Sequence, residues 1–250
     1  MRPWIKTVSI VIFLFVGLLS QSKGQPIKVV TETWRPYSYL EDRQVKGICS
    51  EIVLECLREA NLNLEANRIY IYPWIRSYNI ALEEENVLIY TILKCKERED
   101  KFKWIGPIIQ PDKFYLFKNS EQKDIIIDRL EDAKKYKIGI LRGSVHKQFL
   151  LEKGFPDSCF YDVGYQELNL LKLRNKRIDL IIDTESSVKI RAEKMKLPLE
   201  KFEKILFLFK SDYYMAYSQK TSDDIVERTQ QAFDALKKNG TIEKIIRKYN

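Results

Sequence analysis

Lys94-Cys95-Lys96-Glu97-Arg98-Glu99-Asp100-Lys101-Phe102-Lys103-Trp104-Ile105-Gly106-Pro107 is the stretch on which the reading of this chain turns. It follows Val87-Leu88-Ile89-Tyr90-Thr91-Ile92-Leu93, an apolar run that reads as a buried strand. A charged segment comes next, then aromatics, then a Gly-Pro stop. Arg98 therefore sits just past the end of a strand. In open α/β sheets, ligands bind outside the carboxyl ends of the strands. A guanidinium is always charged there, and its rigid fork matches a carboxylate. The plainer reading of Arg98 and its neighbours is a solvated, salt-bridged connection.

Upstream, Ile27 to Thr31 is a β-branched run and reads as the first strand. Trp34-Arg35-Pro36-Tyr37-Ser38-Tyr39 follows it. Pro36 cannot continue a helix and holds Arg35 extended, so three aromatics lie on a loop past a strand end. Such rings can wall a small ligand or roof the core. Gly47 closes a polar turn at 41–44. Ser50 to Asn61 carries Val53, Cys56/Leu57 and Ala60 at helical spacing. Leu64 to Tyr72 reads as strand two. Pro73-Trp74-Ile75-Arg76 again places an aromatic and an Arg past a strand, before a helix from Arg76 to Glu84. The order β-α-β-α-β argues for a mostly parallel, helix-covered sheet.

Downstream the pattern repeats. Ile108-Ile109 and Phe114 to Phe117 read as an extended passage across a boundary, and Asp128 to Tyr136 as a short helix. Lys137 to Leu141 is a strand that runs into Arg142-Gly143-Ser144 and a helix from Val145 to Lys153. A Gly-Ser turn before a helix offers backbone N–H groups to an anion. His146, the single histidine, falls on that helix and reads as a packing or surface residue. Cys159 to Val163 is a strand. Tyr165 to Asn175 is a helix with Leu168, Leu171 and Lys172 inward. Arg177 to Thr184 is a strand that ends in Asp183 and Thr184, and Val188 to Met195 is a helix. Two similar halves suggest two lobes rather than one sheet. Phe202 to Phe209 and Tyr213 to Ser218 are extended and return the chain across the boundary. Ser222 caps a last long helix with a buried stripe of Ile225/Val226, Thr229, Ala232/Phe233 and Leu236, and Thr241 to Tyr249 is one more helix.

The chain has 250 residues, 45% hydrophobic and 31% charged, enough for one large domain or two lobes. Its formal charge is +8, with Lys and Arg interleaved among Asp and Glu. No basic block or aromatic-basic repeat points to nucleic acid. Arg2 and Lys6, an apolar Val8 to Leu19, and Ser22-Lys23-Gly24 read as a cleavable leader over 1–24. Twelve residues make about 18 Å of helix, short of the roughly 30 Å hydrocarbon core. Export to the periplasm is expected. Cys49, Cys56, Cys95 and Cys159 allow three full pairings or free thiols. Cys49 and Cys56, seven residues apart on one helix, lie about 10 Å apart and would not pair with each other. Their spacing matches no zinc pattern.

The ordered set of motifs resembles the bacterial extracellular solute-binding proteins of family 3, the type II receptors that serve amino acid ABC transporters. Trp34-Arg35-Pro36-Tyr37-Ser38-Tyr39, Gly47 with Glu51, and Pro73-Trp74 carry the resemblance in the first half, with Glu97-Arg98 and Phe102 to Pro107. Lys137 to Ser144, Arg177-Ile178-Asp179 and Leu236 to Ile245 carry it in the second. It implies an α/β fold of the type II periplasmic-binding kind. Each lobe is then a mixed, mostly parallel sheet covered by helices, and two hinge strands join them. Carried over, one lobe is 25–112 with 211–250 and the other is 113–210. It implies that Arg98 holds a ligand carboxylate, with donors from Arg142, Gly143 and Ser144. Trp34, Tyr37, Tyr39 and Trp74 would wall the ligand, with Arg76 and Thr91 beside them. An Asp after the second-lobe strand would hold an ammonium. From Asp179 that place is Thr184, and Asp183 is one short, so both are candidates. Cys95 stands where the family usually has Thr. The amino-acid pharmacophore is therefore only half present.

The expectation is a monomeric periplasmic receptor that clamps a small polar, carboxylate-bearing solute for a separate membrane permease, with no cofactor. A ligand-sensing subunit for a separate membrane receptor is the alternative. A dehydratase-like enzyme on the same scaffold is a third. No Gly-x-Ser-x-Gly and no His-Glu-x-x-His supports hydrolysis.

Overall fold

A computed structural model describes residues 26–249, so the expected leader at 1–24 lies outside the described residues. Seven consecutive residues from Val87 to Leu93 are all buried. A strand covered on both faces reads as an unbroken apolar run, and this one is central. In chain order come β1 (Ile27–Thr31), the hairpin β2 (Tyr39–Glu41) and β3 (Gln44–Lys46), α1 (Ile48–Glu59), β4 (Leu64–Ile71), α2 (Trp74–Glu83) and β5 (Val87–Leu93). Two long strands frame the second half, β6 (Phe102–Asn119) at its start and β10 (Phe202–Ser218) at its end. Between them lie β7 (Ile138–Leu141), α3 (Val145–Glu152), β8 (Phe160–Val163), α4 (Gln166–Arg174), β9 (Leu180–Thr184) and α5 (Glu185–Lys194). The chain closes with α6 (Asp223–Lys238) and α7 (Thr241–Arg247).

The main sheet has the order β4-β1-β5-β10-β6-β9-β7-β8. β1 runs parallel to β4 and β5, and β7 runs parallel to β8 and β9. β6 and β10 pair antiparallel along most of their length. β5 joins β10 at Tyr213–Tyr217, whereas β9 joins β6 at Phe114–Lys118. The two parallel triplets thus hang on opposite ends of one long ribbon. The hydrogen-bonded ladder is unbroken, where the repeat in the sequence suggested separate sheets, because β6 and β10 each belong to both halves.

Local differences have physical causes. The polar turn at 41–44 is the tip of the β2–β3 hairpin. The short helix expected at 128–136 is a single 3-10 segment, Leu130–Lys135. On α4 the buried stripe is Gln166, Asn169, Leu170 and Leu173, and Leu168 is exposed. Leu171 and Lys172 are half-buried, and Leu171 packs against the core as expected, so the expected face is right except at Leu168. Gln166 Nε2 donates to the Ile182 carbonyl at 3.0 Å and Asn169 Nδ2 donates to Gln166 Oε1 at 3.0 Å, while Asn169 Oδ1 is buried without a partner among the described residues. The stripe expected on α6 is buried at Thr229, Ala232, Phe233 and Leu236. All four cysteines are free thiols.

Candidate functional site

Strand ends from both halves converge on one cavity, with room of about 30 Å³ left inside it. The first half contributes Glu32 and Trp34 past β1, Trp74 at the start of α2, Thr91 and Leu93 of β5, and Arg98. The second contributes Leu141 of β7, Ser144, Val145 and His146 at the start of α3, Gln166 of α4, Asp183 of β9 and Arg191 of α5.

Arg98 is 6% exposed. Its guanidinium lies 5.2 Å from the Trp74 ring and 5.0 Å from the Tyr78 ring. It donates to the carbonyls of Leu93 at 3.2 Å and Gly143 at 3.0 Å. Burial lowers its pKa, yet a guanidinium stays charged. No carboxylate among the described residues forms an ion pair with it. Burying a charge is expensive unless it is paired.

Asp183 is matched from within the chain. Its Oδ1 accepts from the Thr184 N–H at 2.8 Å. Its Oδ2 accepts from Gln166 Nε2 at 3.2 Å and from Arg191. Burial pushes its carboxyl up, against the pull of Arg191 and these donors. Glu32 differs, since its carboxylate makes no hydrogen bond among the described residues. Burial pushes its pKa up to about 8, against the pull of Arg191.

Thr91 is β-branched yet has φ +57°. Such a conformation is a genuine outlier, and such outliers cluster at ligand sites. It occupies the bulge where β5 and β10 slip register. Its Oγ1 lies 2.6 Å from the Tyr90 carbonyl and 3.1 Å from Thr31 Oγ1. Ser144 is the N-cap of α3, but its side chain makes no capping bond. Its Oγ is buried without a partner among the described residues, as is His146 Nε2.

Direct hydrogen bonds join the halves across the cavity, among them one from Ser187 Oγ to the Arg35 carbonyl at 3.5 Å. Trp34 Nε1 donates to Ser187 Oγ at 2.6 Å. Trp74 Nε1 and Arg98 both donate to the Gly143 carbonyl, the former at 2.9 Å.

The structure brings Trp34, Trp74, Thr91, Arg98, Ser144 and Asp183 into the lining of one cavity, and Gly143 backs it through its carbonyl. It places the other candidates elsewhere. The Tyr37 hydroxyl and the Tyr213 hydroxyl both donate to Asp112 Oδ2, behind the cavity. Tyr39 lies under the Arg35 guanidinium at 3.6 Å. Arg76 is exposed over the Tyr72 ring, and Arg142 is also exposed. Thr184 Oγ1 accepts from the Ser187 N–H at 3.2 Å and caps α5, so its side chain is spent on the helix. Sequence reasoning missed Glu32, Leu93, Leu141, Val145, His146, Gln166 and Arg191. Glu32 had the same signal as Trp34, a place directly past a strand. Arg191 had none, because a helix brings it back to Asp183.

Among the described residues no group of His, Cys, Asp or Glu could hold a metal, and no helix is long and apolar enough to cross a membrane. No curated protein matches the chain. Solved structures do resemble it. A histidine kinase sensor domain with similarity to periplasmic binding proteins superposes with TM-score 0.79 at 14% identity, covering 91% of this chain and 96% of that one. The arginine-, lysine-, histidine-binding protein ArtJ of Geobacillus stearothermophilus gives 0.74 at 14%, covering 90% and 95%. The amino acid ABC transporter substrate-binding protein AbpA of Streptococcus pneumoniae gives 0.71 at 18%, covering 90% and 94%. The fold is the two-lobed type II periplasmic-binding fold, with β6 and β10 as its hinge strands. Residues 27–250 match the bacterial extracellular solute-binding proteins, family 3, and the chain belongs to that family.

Proposed function

We propose that the chain is a periplasmic receptor that closes on a small polar solute, amino-acid-like or otherwise carboxylate-bearing, and presents it to a separate ABC permease. The observation that carries this is Arg98, a buried guanidinium on the cavity wall whose hydrogen-bond acceptors are two backbone carbonyls. A solute carboxylate is the counter-ion that such a group lacks. The opposite attachment points of β5 and β9 on the ribbon support lobes of 25–112 with 211–250 and of 113–210. A solute that touches both lobes favours the closed form, because only that form makes both sets of contacts. The role is binding without catalysis, by a monomer released from its leader.

A thermal-shift screen of residues 25–250 against amino acids, organic acids, amines and short peptides tests this. A solute at 100 times its Kd adds about 2.7 kcal/mol, on the order of 5–10 °C for a chain of this size. The shift is expected to vanish in Arg98→Ala. A shift that survives the substitution removes Arg98 as the anchor.

The likeness to a histidine kinase sensor domain favours a second reading, in which the closed form signals to a separate membrane receptor. Loss of solute uptake on deleting the gene supports transport. Intact uptake with a lost transcriptional response supports sensing.

A further inference from the structure

The cavity holds a neutral polar atom, His146 Nε2, that the anchoring of a carboxylate by Arg98 does not use up. His146 is 7% exposed and its Nε2 has no partner among the described residues. Its ring is fixed by packing, 5.1 Å from Phe114 and 6.0 Å from Phe209. Ser144, two residues earlier, keeps its hydroxyl out of the helix cap and likewise unpartnered. A buried polar atom without a partner costs free energy that a bound group can recover. Both residues line the same cavity as Arg98.

The charges say what kind of group fits. Burial and the positive charge of Arg98 push His146 down to about 3, so the imidazole is neutral at physiological pH. The field that opposes a proton on His146 also opposes a second cation beside it. Asp183, the acid deepest in the second half, already has Arg191, Gln166 and the Thr184 N–H on its oxygens. An ammonium placed there would compete with a buried guanidinium.

We propose that His146 is a specificity-determining residue that reads a neutral hydroxyl or carbonyl group on the solute, so that the site takes small hydroxy- or oxo-acids in preference to free amino acids. This rests on the reading of Arg98 as the carboxylate anchor. Neutral imidazole suits the task, since one ring nitrogen can accept from a hydroxyl or donate to a carbonyl.

Six three-carbon compounds that differ in one group serve as probes: propionate, L-lactate, D-lactate, pyruvate, 3-hydroxypropionate and L-alanine. Their affinities for residues 25–250 are measured by calorimetry. At least one hydroxy- or oxo-acid is expected to bind about ten-fold or more tighter than both propionate and alanine, the worth of one well-made hydrogen bond. His146→Phe keeps the aromatic packing and is expected to reduce that acid to the level of propionate. His146→Gln, which keeps a neutral donor and acceptor, is expected to retain part of the preference and confirms that the position tolerates exchange. Propionate binding as well as the best acid overturns the proposal, as does a preference that survives His146→Phe, or no binding by any of the six. Alanine binding most tightly, with loss in both Arg98→Ala and Glu32→Gln, also overturns it while leaving Arg98 as the anchor. Binding that is indifferent to Arg98→Ala ends both readings.

Discussion

Two buried groups in the cavity lean on stability in opposite directions as pH changes. An unfolded glutamate titrates near about 4.3, whereas Glu32 in the folded chain is pushed up to about 8. Besides burial, Glu167 and Asp183 push it up, while Arg191 and Arg98 pull it down. Between those two pKa values the folded chain holds a proton that the unfolded chain has released, so stability falls as pH rises through that window. His146 works the other way. It stays neutral when folded down to about 3, and the unfolded chain takes up a proton below about 6.5. Its contribution is therefore lost as pH falls from there toward 3. The two slopes oppose each other across mildly acid pH, and single substitutions expose them. Glu32→Gln is expected to gain about 2–4 kcal/mol over the parent at pH 8 relative to pH 5. Urea unfolding at both pH values measures it, and a gain that is equal at the two values rejects the assignment.

Elements set the geometry that these residues exploit. The loop between β1 and α1 is held by Gly47, whose φ is +121°. A methyl group there would strike the Tyr37 carbonyl oxygen and lie 2.8 Å from the Ser38 nitrogen. Gly47→Ala is expected to lose about 2–4 kcal/mol, read from chemical unfolding, and to loosen Trp34 with the loop. Stability within 0.5 kcal/mol of the parent, the range of a neutral surface change, would mean that the loop is not tied to this glycine. Most elements were legible in the sequence because their signals are local. Val87–Leu93 is apolar throughout, and Pro36, Pro73 and Gly47 punctuate the chain where structure stops. The site was legible in part for the same reason. Trp34, Trp74, Arg98 and Ser144 all stand directly past strand ends. What stayed hidden depends on partners far away in sequence. Nothing near Arg191 announces Asp183, nothing near Tyr37 announces Asp112, and Thr184 is drawn to the cap of α5 by Ser187. The inward face of α4 was read only in part because it carries the polar Gln166 and Asn169, which bond to each other while Gln166 also reaches β9.

For the whole molecule the question is what holds the halves together. Ser187 is buried and accepts from Trp34 across the cleft, yet it does not line the cavity. Ser187→Ala leaves the indole N–H without its acceptor when the cleft is shut and with water when it is open. A buried donor left unmade costs about 1–2 kcal/mol, so apparent affinity is expected to weaken about five- to thirty-fold without loss of any contact to the solute. Calorimetry reads the affinity, and small-angle scattering reads the accompanying rise in radius. An unchanged affinity would show that this bond is no latch. The same two-strand ribbon has a consequence for the newborn chain. β5 finds its neighbour β10 only after the whole stretch from Phe102 to Phe209 has appeared, whereas β7, β8 and β9 meet among themselves within about fifty residues. A chain that emerges from its N-terminus can pair β1 with β4 and β5 early, but leaves the other edge of β5 bare until β10 arrives. That bare edge, and not the finished parts of the sheet, is what chaperones and proteases would meet in the meantime.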